Sequence, residues 1–257
     1  MTGDSAAVPD ADFWAQLRAT TPSRVGLGRA GDAAPTRAVL EAATAHALAR
    51  DTVHLPLEVD ALLADLTGLA ADIGAPTPVV LRSAAPDRET YLTRPDLGRA
   101  LAAGTALPSP HQPVDLAIVV GDGLSATAVS AHAVPLLREL TARLDPGTTY
   151  ATPVVALQAR VALGDQVALA LGARMVLVLI GERPGLSASD SLGAYLTWKP
   201  QRRTPDSARN CVSNIRPPHG LDHATAARTL AALMAGARQL GATGVRLKDV
   251  DQRPPEI

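Results

Sequence analysis

Three short apolar runs in the second half of the chain, at residues 114–120, 154–157 and 175–180, limit what it can fold into more than any other feature. Each is shorter than a packed helix and shows little polar alternation, the pattern of a strand buried on both faces. Helical patterns follow the first two, over 125–144 and 164–171, and a fourth strand is predicted at 192–198. A long helical pattern occupies 224–240. Buried strands alternating with helices place the chain in the α/β class: a Rossmann-like parallel sheet with helices on both faces.

The first half reads differently. Residues 36–51 begin after Pro35 and carry Val39, Leu40, Ala43, Ala47 and Leu48 on one helical face. Residues 58–73 repeat the period with Leu62, Leu63, Leu66 and Leu69, then stop at Gly74. A short strand is predicted at 76–81. The expected organisation is a flexible leader over 1–12, a mainly helical N-terminal region over 13–106, a proline-rich linker over 107–113 and the Rossmann-like domain over 114–257.

Composition narrows the function. Hydrophobic residues make up 47%, enough for a substantial core, and the formal net charge of -1 exerts no global pull toward nucleic acid or an anionic membrane. The six aromatic residues, Phe13, Trp14, Tyr91, Tyr150, Tyr195 and Trp198, are too few for a base-stacking platform. Cys211 is the single cysteine, so the chain forms no internal disulfide and no cysteine-rich zinc site. Residues 1–12 are acidic without an apolar run, and no stretch of about 18 apolar residues occurs. A soluble cytoplasmic protein is the expectation.

Gly26-Leu27-Gly28-Arg29-Ala30-Gly31 matches the dinucleotide-binding spacing, with Asp51 about 20 residues on. That motif works only between a strand and a helix N-terminus, where backbone N–H groups meet a pyrophosphate. Thr20 to Arg24 is no buried strand and Asp51 ends a helical pattern, so the motif reads as a glycine-rich turn between helices. Gly121-Asp122-Gly123 is better placed, after a strand and before a helix; it reads either as a ligand-facing turn or as an ordinary tight one. No pair among His46, His54, His132, His219 and His223 has the i, i+4 zinc spacing with an intervening glutamate, and no serine sits in a nucleophile elbow. The distinctive text is polar and rich in Gly and Pro. It comprises Gly181-Glu182-Arg183-Pro184-Gly185-Leu186-Ser187, then Asp190 to Leu196, then Arg209-Asn210-Cys211-Val212-Ser213-Asn214-Ile215-Arg216-Pro217. Composition alone leaves this segment either a recognition loop or a solvated one.

These three segments, together with Thr21-Pro22-Ser23-Arg24-Val25-Gly26-Leu27-Gly28-Arg29-Ala30-Gly31, resemble the small subunit of ethanolamine ammonia-lyase, with similarity from about Phe13 to Lys248. The resemblance implies an adenosylcobalamin-dependent lyase that converts ethanolamine to acetaldehyde and ammonia by radical chemistry. It implies a separate large subunit, a TIM barrel that holds ethanolamine, and a dodecamer of six heterodimers. Cobalamin is expected at the interface of the two subunits, and this chain is not expected to be active alone. It further implies Val161, Glu182 and Cys211 as cobalamin contacts: apolar packing or a main-chain bond at Val161, acceptance from corrin amides at Glu182, close packing at Cys211. Read without the family, the same residues are a core valine, a solvated or Arg-paired glutamate and a buried thiol. No Asp-x-His-x-x-Gly motif occurs, so the implied cofactor keeps its own lower base on cobalt. Localisation is cytoplasmic, and some family members enter a bacterial microcompartment through their N-terminal region. The competing readings are an independent Rossmann-like nucleotide-binding enzyme and a structural assembly protein.

Overall fold

The computed structural model describes residues 11–108 and 112–248; the expected leader up to residue 10, the middle of the expected linker (109–111) and residues 249–257 lie outside the described residues. In chain order the elements are α1 (Ala11–Ala19), α2 (Thr36–His54), α3 (Val59–Asp72), β1 (Val79–Arg82), α4 (Arg88–Thr93), β2 (Val114–Gly121) and α5 (Ala126–Thr141). There follow β3 (Val154–Leu157), α6 (Leu163–Ala170), β4 (Ala173–Gly181), β5 (Leu192–Trp198), β6 (Asn210–Ile215) and α7 (His223–Leu240).

The strands form one sheet in the order β1-β3-β2-β4-β5-β6. Strands β1, β3, β2 and β4 are parallel, with Val119 of β2 registered between Val154 of β3 and Val178 of β4. Strand β5 runs antiparallel to β4, and β6 antiparallel to β5. The sheet is therefore mixed, which corrects the wholly parallel expectation. Only a loop joins β4 to β5, and a parallel pair needs a crossover of a dozen residues or so, usually a helix. The polar segment 209–217, read from sequence as a loop, contains β6. That strand buries only Val212 and Ile215, so apolar alternation scarcely marks it.

Alternation along the central strands separates two cores. Leu116, Ile118 and Val120 of β2 and Met175, Leu177 and Leu179 of β4 pack with α3, α5 and α7. Ala117 and Val119 of β2 and Val176, Val178 and Ile180 of β4 pack instead with Leu163, Val167 and Ala168 of α6. Each fully buried leucine or valine contributes roughly 1.5–3 kcal/mol, so burial on both faces holds these strands in register. The helix starts are specified locally: the side chains of Ser125 and Asp222 accept from the main-chain N–H of Ala128 and Thr225. Gly241, at φ 69°, ends α7. No helix among the described residues is long and apolar enough to cross a membrane.

The apolar stripe of α2 behaves otherwise. Val39, Leu40 and Leu48 are 53%, 62% and 59% exposed, so nothing among the described residues covers them.

Because β1 to β4 are parallel, their carboxyl ends lie along one edge of the sheet. The chain leaves β2 for β3 on one side and returns to β4 on the other. The loops after β2, β3 and β4 meet where this direction changes, the usual place for a ligand crevice in such sheets.

Candidate functional site

The turn after β2 is fixed by a buried acid. Asp122 accepts from the main-chain N–H of Gln158 at 2.9 Å and of Ala159 at 3.1 Å, and it lies 3.7 Å from Arg88. Arg88 also donates to the carbonyls of Val53 at 2.7 Å and Gly123 at 2.8 Å. Burial pushes the Asp122 carboxyl up from its usual range, against those two N–H groups and Arg88. Both oxygens are spent on the protein's own backbone, so Asp122 ties the β2 turn to the β3 turn. Gly123, at φ 56°, sits so close to Gly181 and Ile180 that a Cβ would strike them; the β2 turn thus abuts the end of β4.

The β3 turn is braced by α4. Tyr91 donates from its hydroxyl to the Ala159 carbonyl at 2.9 Å, and the guanidinium groups of Arg88 and Arg160 lie 4.9 and 4.8 Å from its ring centre. Burial pushes the Tyr91 phenol up to about 12, with the charge of Asp122 adding and the two arginines opposing. Gln158 takes a left-handed φ of 54°, which turns the chain away from β3 and presents Arg160 and Val161 at the sheet edge.

Two adjoining cavities open there. One, about 310 Å³, is lined by Arg99, Arg160, Val161, Tyr195, Asp206 and Cys211 among others. The second, about 400 Å³, includes Tyr91, Arg160, Val161, Glu182, Arg183, Tyr195 and Ser213. Arg160, Val161 and Tyr195 line both, so the two form one concave surface. The structure brings Val161, Glu182 and Cys211 together on it, although they are far apart in sequence.

Each is held differently. Val161 is half-buried just before α6. Glu182 follows β4 and accepts from the hydroxyls of Ser191 and Ser213, both at 2.5 Å, and from the Asn214 N–H at 3.3 Å. Gly193, opposite Ile180 on β5, leaves the space that the Glu182 carboxylate fills. Cys211 stands beside Tyr195 in the β5–β6 register. Partial burial of its sulfur, with the charge of Glu182, pushes the thiol up, while Tyr195 opposes. A neutral thiol is a packing group rather than a nucleophile.

Beneath this surface Arg209 grips Asp165. Its two terminal nitrogens each donate to a carboxylate oxygen at 2.7 Å, and the side chains are 3% and 2% exposed. The pair joins the first turn of α6, just after Val161, to the start of β6, just before Cys211. Tyr91 and this clamp were not legible as site residues. Arg209 and Tyr195 lie within conspicuous motifs, and Arg160 immediately precedes Val161, but Tyr91 has no local signal.

Other candidates lie elsewhere. The segment Gly26–Gly31 connects α1 to α2 with no strand before it, and Trp14 packs on Gly26. His46 and His54 are exposed. His132 and His223 meet at 3.2 Å between ring nitrogens, a pairing of α5 with α7 that spacing did not signal. No group of three or more His, Cys, Asp or Glu residues that could hold a metal occurs among the described residues.

Comparison with known proteins gives a consistent answer. The sequence profile described as ethanolamine ammonia-lyase light chain (EutC) matches residues 11–248. The ethanolamine ammonia-lyase small subunit of Rhodococcus erythropolis is 48% identical over 252 residues, covering 98% of this chain and 95% of the relative. Those of Bradyrhizobium diazoefficiens and Azotobacter vinelandii are 51% and 50% identical, covering 94% and 92% of this chain and 93% and 88% of the relatives. With nearly all of its length matched in this way, the chain belongs to the ethanolamine ammonia-lyase small-subunit (light-chain) family.

Proposed function

We propose that this chain is the small subunit of an adenosylcobalamin-dependent ethanolamine ammonia-lyase and walls in one side of the cobalamin, with the large subunit covering the other. Bound adenosylcobalamin would supply the radical chemistry by which ethanolamine becomes acetaldehyde and ammonia. The observation that carries the reading is the convergence of Val161, Glu182 and Cys211 on one concave surface that runs from the carboxyl end of β4 along β5 and β6.

The residues present suit such a group. Corrin is a broad apolar disc with a fringe of neutral amides. Val161, Tyr195 and the neutral Cys211 thiol offer apolar contact; Glu182 retains acceptor capacity beyond its three bonds, and Arg160 retains a buried Nε with no partner. The chain's task is to bind, orient and shield. The exposed α2 stripe also suits a chain that works in an assembly. Six heterodimers, and a Rossmann-like parallel unit to which β5 and β6 are appended, belong to the same proposal.

Reconstitution tests it. The purified chain alone should not deaminate ethanolamine, and adding the large subunit with adenosylcobalamin should give activity. Glu182→Gln should weaken cobalamin binding to the complex roughly tenfold, the scale of one bond to a charged group, while leaving assembly intact. An inactive mixture of two folded partners, or tight NAD(P) or ATP binding by this chain alone, would overturn the reading.

A further inference from the structure

We propose that Arg160, flanked by Arg99 and Arg183, forms an anion subsite that receives the phosphodiester of the cofactor's nucleotide arm; this rests on the cobalamin reading above. The observation is a contrast among arginines. Around the site Arg88 is paired with Asp122, Arg209 with Asp165, and Arg216 with Asp190 at 3.0 Å. Among the described residues no carboxylate lies within 4.0 Å of Arg99, Arg160 or Arg183, yet all three line the concave surface.

Arg160 is the centre of the group. Its main-chain N–H donates to the Gly98 carbonyl at 2.8 Å, and one terminal nitrogen donates to the Tyr91 carbonyl at 3.1 Å. Its guanidinium is further held against the Tyr91 ring, and its buried Nε has no acceptor. A guanidinium fixed in place with donors unspent is arranged for a fork-like grip on an anionic oxygen pair. Gathering three unpaired cations costs energy unless a negative group joins them. The carboxylates facing the same space are already engaged: Asp206 with Arg209 at 3.5 Å, and Glu182 with Ser191, Ser213 and Asn214. Corrin amides are neutral, so the phosphodiester is the anionic group the cofactor brings.

The test compares two corrinoids that differ by the phosphate, cobinamide and cobinamide phosphate, in equilibrium binding to the assembled complex of this chain and its large subunit. The unsubstituted complex should prefer cobinamide phosphate by roughly 10- to 100-fold, the range expected for bonds to a charged group. Arg160→Gln should bring that ratio close to one with cobinamide affinity little changed. A ratio that survives the substitution, or a proportional loss for both ligands, would overturn the subsite, since a merely structural arginine would weaken both alike. If Arg160→Gln does not assemble, the exposed Arg99→Gln and Arg183→Gln carry the test: a reduced ratio in either supports the subsite, and unchanged ratios in both overturn it. Binding of neither corrinoid by the unsubstituted complex would overturn the cofactor reading itself, and the subsite with it.

Discussion

Replacing Asp165 by asparagine leaves Arg209 charged, buried and without its main partner. In the intact chain the guanidinium makes two 2.7 Å bonds to Asp165, one to the Thr197 hydroxyl at 3.0 Å and one to the Thr204 carbonyl at 3.0 Å. Asp206 lies 3.5 Å away but is largely exposed, so it compensates little. Burial disfavours the Arg209 charge, and Asp165, accepting both bonds, offsets it; without Asp165 the guanidinium still keeps its proton, since arginine is not deprotonated in proteins. Removing one member of a buried pair costs about 3–5 kcal/mol. For a chain of this size about 2–4 °C of melting temperature accompanies each kcal/mol, so Asp165→Asn should melt roughly 6–20 °C lower. The double variant Asp165→Leu/Arg209→Met removes both charges and should recover most of the loss. It should not recover all of it, because Thr204 and Thr197 lose their donor. Thermal unfolding of the intact chain, Asp165→Leu, Arg209→Met and their double variant measures the coupling directly. An unaltered melting temperature in Asp165→Asn, or a double variant as unstable as the sum of the singles, would refute the clamp.

Two further outcomes are expected. Alkylation of Cys211 should accelerate with a midpoint above the usual thiol value of 9.0, because the thiol is pushed up by burial; a midpoint below 9.0 would contradict the packing role. Burial first, then His223 and more weakly Arg216, hold the His132 imidazole below the ordinary 6.5, with Asp190 opposing. Below pH 6.5 the unfolded chain then takes up a proton that folded His132 does not, so stability falls as pH drops. His132→Leu should flatten that slope in melting curves, and an unchanged slope would show that another group sets it.

How much of this was legible in the sequence follows from burial. Strands β2, β3 and β4 are covered on both faces, so their residues form apolar runs that stand out in the chain. Strand β6 lies at the sheet edge with a register irregularity opposite Leu192 and Ala194, and Cys211, Ser213 and Asn214 point outward, so it reads as polar loop. The orientation of β5 was recoverable in principle, since no helix separates it from β4. Helix α4 has only six residues and too few turns for a period to show, which hid Tyr91. The choice of Val161, Glu182 and Cys211 came from family resemblance, because nothing local distinguishes Val161 from a core valine. Their shared surface depends on the loops after β3 and β4 meeting strand β6, a property of topology rather than of any segment. The pairing of Arg209 with Asp165 spans 44 positions and likewise leaves no mark in local text.

The most direct test of the central claim is a structure of the complex of this chain with its large subunit and cobalamin. The account predicts the side chains of Val161, Glu182 and Cys211 within about 4 Å of the corrin or its amide fringe. A corrin enclosed by the large subunit alone, with the loops after β3 and β4 turned away from it, would contradict the account.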